Sequence, residues 1–418
     1  MVLNGIKNKA WFVTFIGLSI NLALGILYAW SVFKGAIEQS INSGSQNAFA
    51  WDLASLNDPY AVCILAFAFS MTFAGKIQDK KGPSFTAKIG GVLVGSGFIL
   101  ASLSTSYIIW IIGFGLLGGM GIGFGYSATT PAAMKWFSSK KTGLIAGIVV
   151  SGFGLAPVYI APLASYLVGS YGIQNAMMIF GILFIIFVVG LAFFLKNPPA
   201  GYVPEDKSDN NLQGLNSPAK IVVDYNATAM LKTLRFYIMW VIFFIGSGAG
   251  LMIIGSISGL AKASMGESAF IAVAIMAIGN ASGRIVAGIV SDKIAKSATL
   301  FMVLLFQSSL MFLSYYILND STSTVIVVLL ATFIGFNYGA NLSLFPAFTK
   351  GFWGLKNFGL NYGILMSAWG LGGFIFSRLS QVLYASTGSH SMSFIIAGSS
   401  LGFCLFLTII LLEIKSMN

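Results

Sequence analysis

Gly75-Lys76-Ile77-Gln78-Asp79-Lys80 and Gly288-Ile289-Val290-Ser291-Asp292-Lys293 share the spacing G-x-x-x-D-K, and each closes a long apolar run. The glycine permits tight packing at a helix end. The aspartate can face a helix N-terminus or a neighbouring cation, and so lock one arrangement of the surrounding helices. The first stretch continues into Lys81-Gly82-Pro83, which suits a sharp turn. Gly75, Asp79, Lys80, Gly288, Asp292 and Lys293 are therefore read as gating and structural residues rather than substrate contacts.

Outward from these stretches the chain divides into apolar runs. A spanning helix needs about 20 mostly apolar residues. Twelve such runs are legible, at 11–33, 59–77, 84–104, 107–134, 143–168, 173–195, 236–261, 268–290, 298–318, 323–349, 358–384 and 391–413. The one long polar stretch between them, 196–235, holds Asn197-Pro198-Pro199 and Glu205-Asp206-Lys207-Ser208-Asp209. The expected organisation is a six-helix bundle over 1–195, a cytoplasmic linker over 196–235 and a second six-helix bundle over 236–418. Each G-x-x-x-D-K closes the second run of its half. Tyr126 precedes Trp136-Phe137 in one half as Tyr338 precedes Phe352-Trp353 in the other. Two loops can match by chance, but equivalent placement favours an internal repeat. A parallel repeat of six spans suits a two-bundle transporter with its site between the bundles.

Composition agrees. Of 418 residues, 57% are hydrophobic and 8% are charged, against roughly a quarter charged in soluble domains. So few charges cannot cover a water-facing surface; lipid removes the need. The 49 glycines let membrane helices approach closely. The net charge of +11 could suggest nucleic acid, but the cations gather in alternate loops. With the N-terminus inside, most of them fall on the inner side, and only Lys34 and Lys262 lie outside, with Arg284 and Arg378 within spans. This positive-inside pattern places both termini in the cytoplasm of a plasma or inner membrane. Cys63 and Cys404 each sit in an apolar run and His390 is the single histidine, so neither a disulfide framework, a metal site nor a cofactor is expected. No cleavable signal peptide is expected, because the first run is long enough to span.

Arg284 is the sharpest signal. It lies nine residues before Lys293, about 13 Å from the helix end at 1.5 Å per residue. Burying it there costs at least about 2.5–3.5 kcal/mol. An ion pair with a buried acid would offset this, but the twelve acids all fall in loops or near span ends. A bound carboxylate would also offset it, through the guanidinium fork. Asn280, one turn earlier, either holds that guanidinium, donates to a substrate or makes a polar helix contact. Tyr28, Tyr126 and Tyr338 lie within spans, where a hydroxyl could donate to a carboxylate while its ring packs on a short alkyl chain; helix packing is their duller reading. Arg378, near the outer end of its span, could snorkel to the interface or supply a second charge.

Two patterns are decoys. Gly113-Phe114-Gly115-Leu116-Leu117-Gly118 matches a dinucleotide fingerprint but lies inside an apolar span. Asn341-Leu342-Ser343 matches a glycosylation sequon, again inside a span.

The G-x-x-x-D-K loops and six-plus-six spans resemble the major facilitator superfamily. Other stretches resemble its oxalate/formate antiporter branch, related to monocarboxylate transporters: Tyr28-Ala29-Trp30-Ser31-Val32-Phe33, Lys135-Trp136-Phe137 with Gly143-Leu144, Pro198-Pro199-Ala200-Gly201-Tyr202, Leu344-Phe345-Pro346 and Asn361-Tyr362-Gly363. The resemblance implies that Arg284 binds the substrate carboxylate. It places Tyr28, Tyr126 and Tyr338 around that cavity and matches Asn280 to a polar position of lactate-type relatives. One position departs. Trp369 stands where the oxalate transporter has a second cation, so a monocarboxylate of the lactate, pyruvate or formate type is expected ahead of a dicarboxylate.

The expected function is secondary transport of a small carboxylate by a monomer in a lipid bilayer, by proton symport or anion exchange. An oxalate:formate-type exchanger and a non-transporting carboxylate sensor are the alternatives. Without clustered acids, histidines or cysteines in the spans, enzymatic chemistry is not expected.

Overall fold

The computed structural model describes residues 8–44, 48–202, 204, 224–265, 269–318 and 322–416. Among them there is no strand. In hydrocarbon each backbone N–H and C=O must be satisfied within its own segment, and the helix does this.

Among the described residues twelve long helices follow one another, counting as two the stretch bent at Gly172: α1 Ala10–Ser43, α2 Asp58–Lys81, α3 Pro83–Ser102, α4 Tyr107–Met134, α5 142–171, α6 173–192, α7 Leu234–Met265, α8 Ala269–Lys293, α9 Lys296–Ile317, α10 Thr324–Trp353, α11 Phe358–Thr387 and α12 Ser391–Ser416. Helices α5 and α6 are continuous apart from Gly172, whose φ of 78° breaks the ladder; only glycine adopts that conformation readily. The sequence expectation of separate runs at 143–168 and 173–195 is thus met by a bend rather than a loop. Helix α1 extends ten residues beyond the expected end at 33, and at 34 residues it is about 51 Å long. Its last turns must stand beyond a hydrocarbon core about 30 Å thick. Outward faces carry Phe73, Leu103, Ile186 and Tyr316, all well exposed, as lipid contact requires. The fingerprint-like glycines 113–118 lie in a π-helical part of α4, and Asn341 is buried in α10, so both decoys are excluded.

The two six-helix bundles meet along α2 against α11 and α5 against α8. Glycines set these crossings. A Cβ on Gly75 would run into the Gly359 carbonyl, and one on Gly288 into that of Gly143. Both crossings lie at the end bearing the G-x-x-x-D-K loops, called here the motif end. At the opposite end the bundles part around a cavity of about 1090 Å³.

Candidate functional site

Each motif aspartate reaches into the other bundle. Asp79 accepts the backbone N–H groups of Gly359 and Leu360 through separate oxygens, both at 3.0 Å. Asp292 accepts those of Gly143 and Leu144 at 2.7 and 2.8 Å. These are the unsatisfied N–H groups of the first turns of α11 and α5, where a negative charge is favoured. Lys135 attracts Asp79, while Lys296 and Lys350 attract Asp292. Lys80 and Lys293 stand exposed and take no part in these clamps.

The cavity descends from the open end to a floor that includes Tyr28, Gly154 and Asn280. Arg284 lies beneath that floor, fully buried. Its Nε donates to Asn280 Oδ1 at 3.0 Å, and Nη1 donates to the Val150 carbonyl of α5. Nη2 is buried without a hydrogen-bond partner. The Tyr28 hydroxyl sits close enough to interact with the guanidinium. No ion pair is made by Arg284 among the described residues; its counter-charge is two carbonyl oxygens.

The other expected residues surround it. Tyr28 lies in a 3₁₀ interruption of α1, Gly25–Ala29, which rotates its ring relative to a regular helix. Its hydroxyl is 3.0 Å from that of Tyr338 in α10, and Trp369 Nε1 of α11 donates to Tyr338 at 2.9 Å. Tyr126 of α4 packs edge-on against Phe67 and Phe153, and Phe67 lies 5.0 Å from the Trp369 ring. The six expected substrate residues therefore converge. Of the six, Tyr28 and Asn280 line the cavity itself, whereas Arg284, Tyr126, Tyr338 and Trp369 are buried and do not.

Three participants were not among the expected site residues, although Tyr362 stood in one of the stretches that carry the family resemblance. Tyr362 is buried, with its hydroxyl beside that of Tyr126 and within the field of Arg284. Its spacing of seven residues from Trp369 puts both on one face of α11, a usable signal. Phe67 and Phe153 complete an aromatic box and look like ordinary core residues. Arg378 stands apart: it is exposed at the cavity mouth, with Nη1 3.4 Å from Gln381 Oε1.

A family profile described as Major Facilitator Superfamily matches residues 10–377. The chain belongs to that superfamily. Superfamily members with recognisable similarity include the "Uncharacterized MFS-type transporter YhjX" of Escherichia coli, 29% identical over 86% of this chain and 85% of that one. The oxalate:formate antiporter of Oxalobacter formigenes is 24% identical over 87% and 82%. Monocarboxylate transporter 13 of Rattus norvegicus is 22% identical over 85% and 79%. The superfamily fold is shared with the human organic anion transporter MFSD10, at a TM-score of 0.67 and 14% identity over 96% of this chain and 99% of that one. The protein is thus a multi-pass membrane transporter, not an enzyme.

Proposed function

We propose that this transporter carries a small monocarboxylate, of the lactate, pyruvate or formate type, by exchange of one anion for another. The observation that carries the reading is Arg284: a buried guanidinium with one nitrogen unbonded and no acid beside it among the described residues. A carboxylate supplies the missing charge and two acceptor oxygens. Tyr28 and Tyr338 donate to it or to an α-oxygen, and Phe67, Phe153 and Trp369 enclose a short alkyl chain. The similarity to the oxalate:formate antiporter and to monocarboxylate transporters supports the substrate class.

Alternating access follows from the clamps. Asp79 and Asp292 hold the motif end, read as cytoplasmic, closed while the cavity faces the other side. The bundles, assigned to 1–195 and 236–418, then rock about the Arg284 level, with 196–235 joining them. Exchange is favoured over symport because no carboxylate or histidine among the described residues adjoins Arg284 to carry a proton. The test is uptake of labelled lactate, pyruvate, formate and oxalate into proteoliposomes. Uptake that requires an internal anion supports exchange. Uptake driven by a pH gradient alone, with nothing inside, overturns it; absence of all anion flux with intact binding would indicate a sensor.

Two substitutions test the site's charge count. Trp369→Lys puts a second cation within reach of Tyr338 and is expected to shift selectivity towards oxalate about tenfold, the worth of one hydrogen bond to a charged group at about 1.5 kcal/mol. Unchanged competition of oxalate against lactate would count against Trp369 as the residue that excludes dicarboxylates. Arg378 is exposed on the cavity lining while Arg284 is buried, so Arg378 is read as attracting the anion rather than holding it. Arg378→Gln is expected to raise KM about two- to threefold at low salt, with the difference vanishing at high ionic strength. A fall in turnover that salt does not erase would instead place Arg378 in the binding site.

A further inference from the structure

The receptor for the Asp79 carboxylate is itself built by another segment. Residues 353–358 turn the chain from α10 into α11, and the N–H groups that Asp79 accepts follow directly, at Gly359 and Leu360. That turn is gripped by Asp224 and Tyr225, which precede α7. Asp224 Oδ1 accepts the Leu355 and Lys356 N–H groups at 3.0 and 3.1 Å. The Tyr225 N–H donates to the Trp353 carbonyl at 3.0 Å. The Tyr225 carbonyl accepts Asn357 Nδ2 at 3.1 Å and Asn361 Nδ2 at 3.0 Å. Gly354, at φ 80°, lies directly beneath the Asp224 carboxylate, with no room for a Cβ. One polar pair thus fixes both flanks of the two N–H groups that Asp79 needs.

The other bundle repeats the plan. Trp136 stands at the turn from α4 into α5, where Asp292 finds Gly143 and Leu144. Trp136 Nε1 donates to the Lys196 carbonyl at 2.8 Å, and the Tyr202 hydroxyl donates to the Trp136 carbonyl at 3.3 Å. The first and last described parts of the inter-bundle connection therefore each hold one clamp receptor. Asp224 makes the stronger hold, since a carboxylate oxygen shared by two N–H groups is charge-assisted.

We propose that Asp224 is a positioning residue of the transport cycle: it presets the first turn of α11 for Asp79 and so favours the closed motif end. The proposal rests on the alternating-access reading above, and the experiment separates the two. Spin labels at Lys81→Cys and Ile294→Cys, exposed at the ends of α2 and α8, report motif-end separation. The native cysteines are both buried. In the unaltered transporter the short distance should dominate. Asp224→Ala should raise the long-distance population about five- to tenfold, within the usual range of such couplings. Asp224→Asn, which keeps an oxygen acceptor in place, should recover most of the short-distance population. Adding Asp224→Ala to Asp79→Asn should change little further, because both act through one clamp.

If Asp79→Asn opens the motif end but Asp224→Ala leaves the distance distribution as it was, Asp224 is only a loop staple and the proposal fails alone. If Asp79→Asn changes nothing either, the clamp reading falls and the proposal with it. Should Asp224→Ala not yield folded protein, Asn357→Ala removes one strut from the same turn and is expected to give the same shift at smaller size; no shift there overturns the proposal.

Discussion

Arg284→Ala is expected to reduce anion exchange by at least about 100-fold in proteoliposomes, with the protein still folded and monodisperse. Two charge-assisted hydrogen bonds to a carboxylate are worth about 3–4 kcal/mol together, and each 1.4 kcal/mol is tenfold. The loss should appear in binding as well as in turnover, because among the described residues the guanidinium is the one buried charge at the site. Arg284→Lys should recover little. A lysine carries the charge but not the planar fork, and cannot at once satisfy Asn280 and the Val150 carbonyl as Arg284 does. Labelled-substrate binding and exchange, measured side by side, check this. Uptake at the unaltered rate in Arg284→Ala would remove the guanidinium from the mechanism and with it the anion assignment.

The second large effect is expected from Gly75→Val and Gly288→Val. Neither residue touches the site. Each lies where α2 meets α11 or α5 meets α8 closely enough that an added side chain meets backbone, the Gly359 carbonyl in one case and the Gly143 carbonyl in the other. Backbone cannot swing aside as a long side chain can. Overpacking of this kind costs about 1–3 kcal/mol, and it burdens only the state in which the motif end is shut. Turnover should fall about tenfold or more for each, with anion affinity in the motif-end-open state retained. The same spin-label pair should show the long distance dominating. Near-normal turnover in Gly75→Val would mean that the crossing need not close so tightly during the cycle.

The sequence carried the fold well, for a plain reason. Twelve apolar runs and a repeated G-x-x-x-D-K are one-dimensional signals, and lipid enforces them. It fared less well where polarity thinned. Helix α1 continues past Lys34 through Glu38, Gln39 and Asn42, residues that no hydropathy reading would join to a span. The bend at Gly172 looked like a loop because a single glycine does the work of one. At the site, Arg284 stood out because a charge is rare in a span, Asn280 because it lies one turn away on the same face, and Tyr28, Tyr126 and Tyr338 because of their place within spans and the family resemblance. The partner of Arg284 in the other bundle was not legible. Its Nη1 acceptor is a peptide oxygen of Val150, 134 residues away, and a backbone atom leaves no mark in a sequence. Asp224 was hidden for a related reason. Among scattered charges of the connection it looked like a solvated acid, yet it holds N–H groups 131 and 132 residues away.

The tie between Arg284 and the Val150 carbonyl has a consequence for what the protein admits. The guanidinium joins α8 of one bundle to α5 of the other, and on the proposed reading a carboxylate that takes both Nη1 and the unbonded Nη2 displaces a peptide oxygen from Nη1. A carboxylate, with a full charge, wins that competition. A neutral amide or alcohol of the same shape offers no better acceptor than the carbonyl already there. On the proposed reading, size is screened by the aromatic box, but charge is screened by the protein's own backbone, which acts as a resident competitor. On the same proposed reading, that displacement removes one tie between α5 and α8, so recognising the anion and loosening the bundles become a single event.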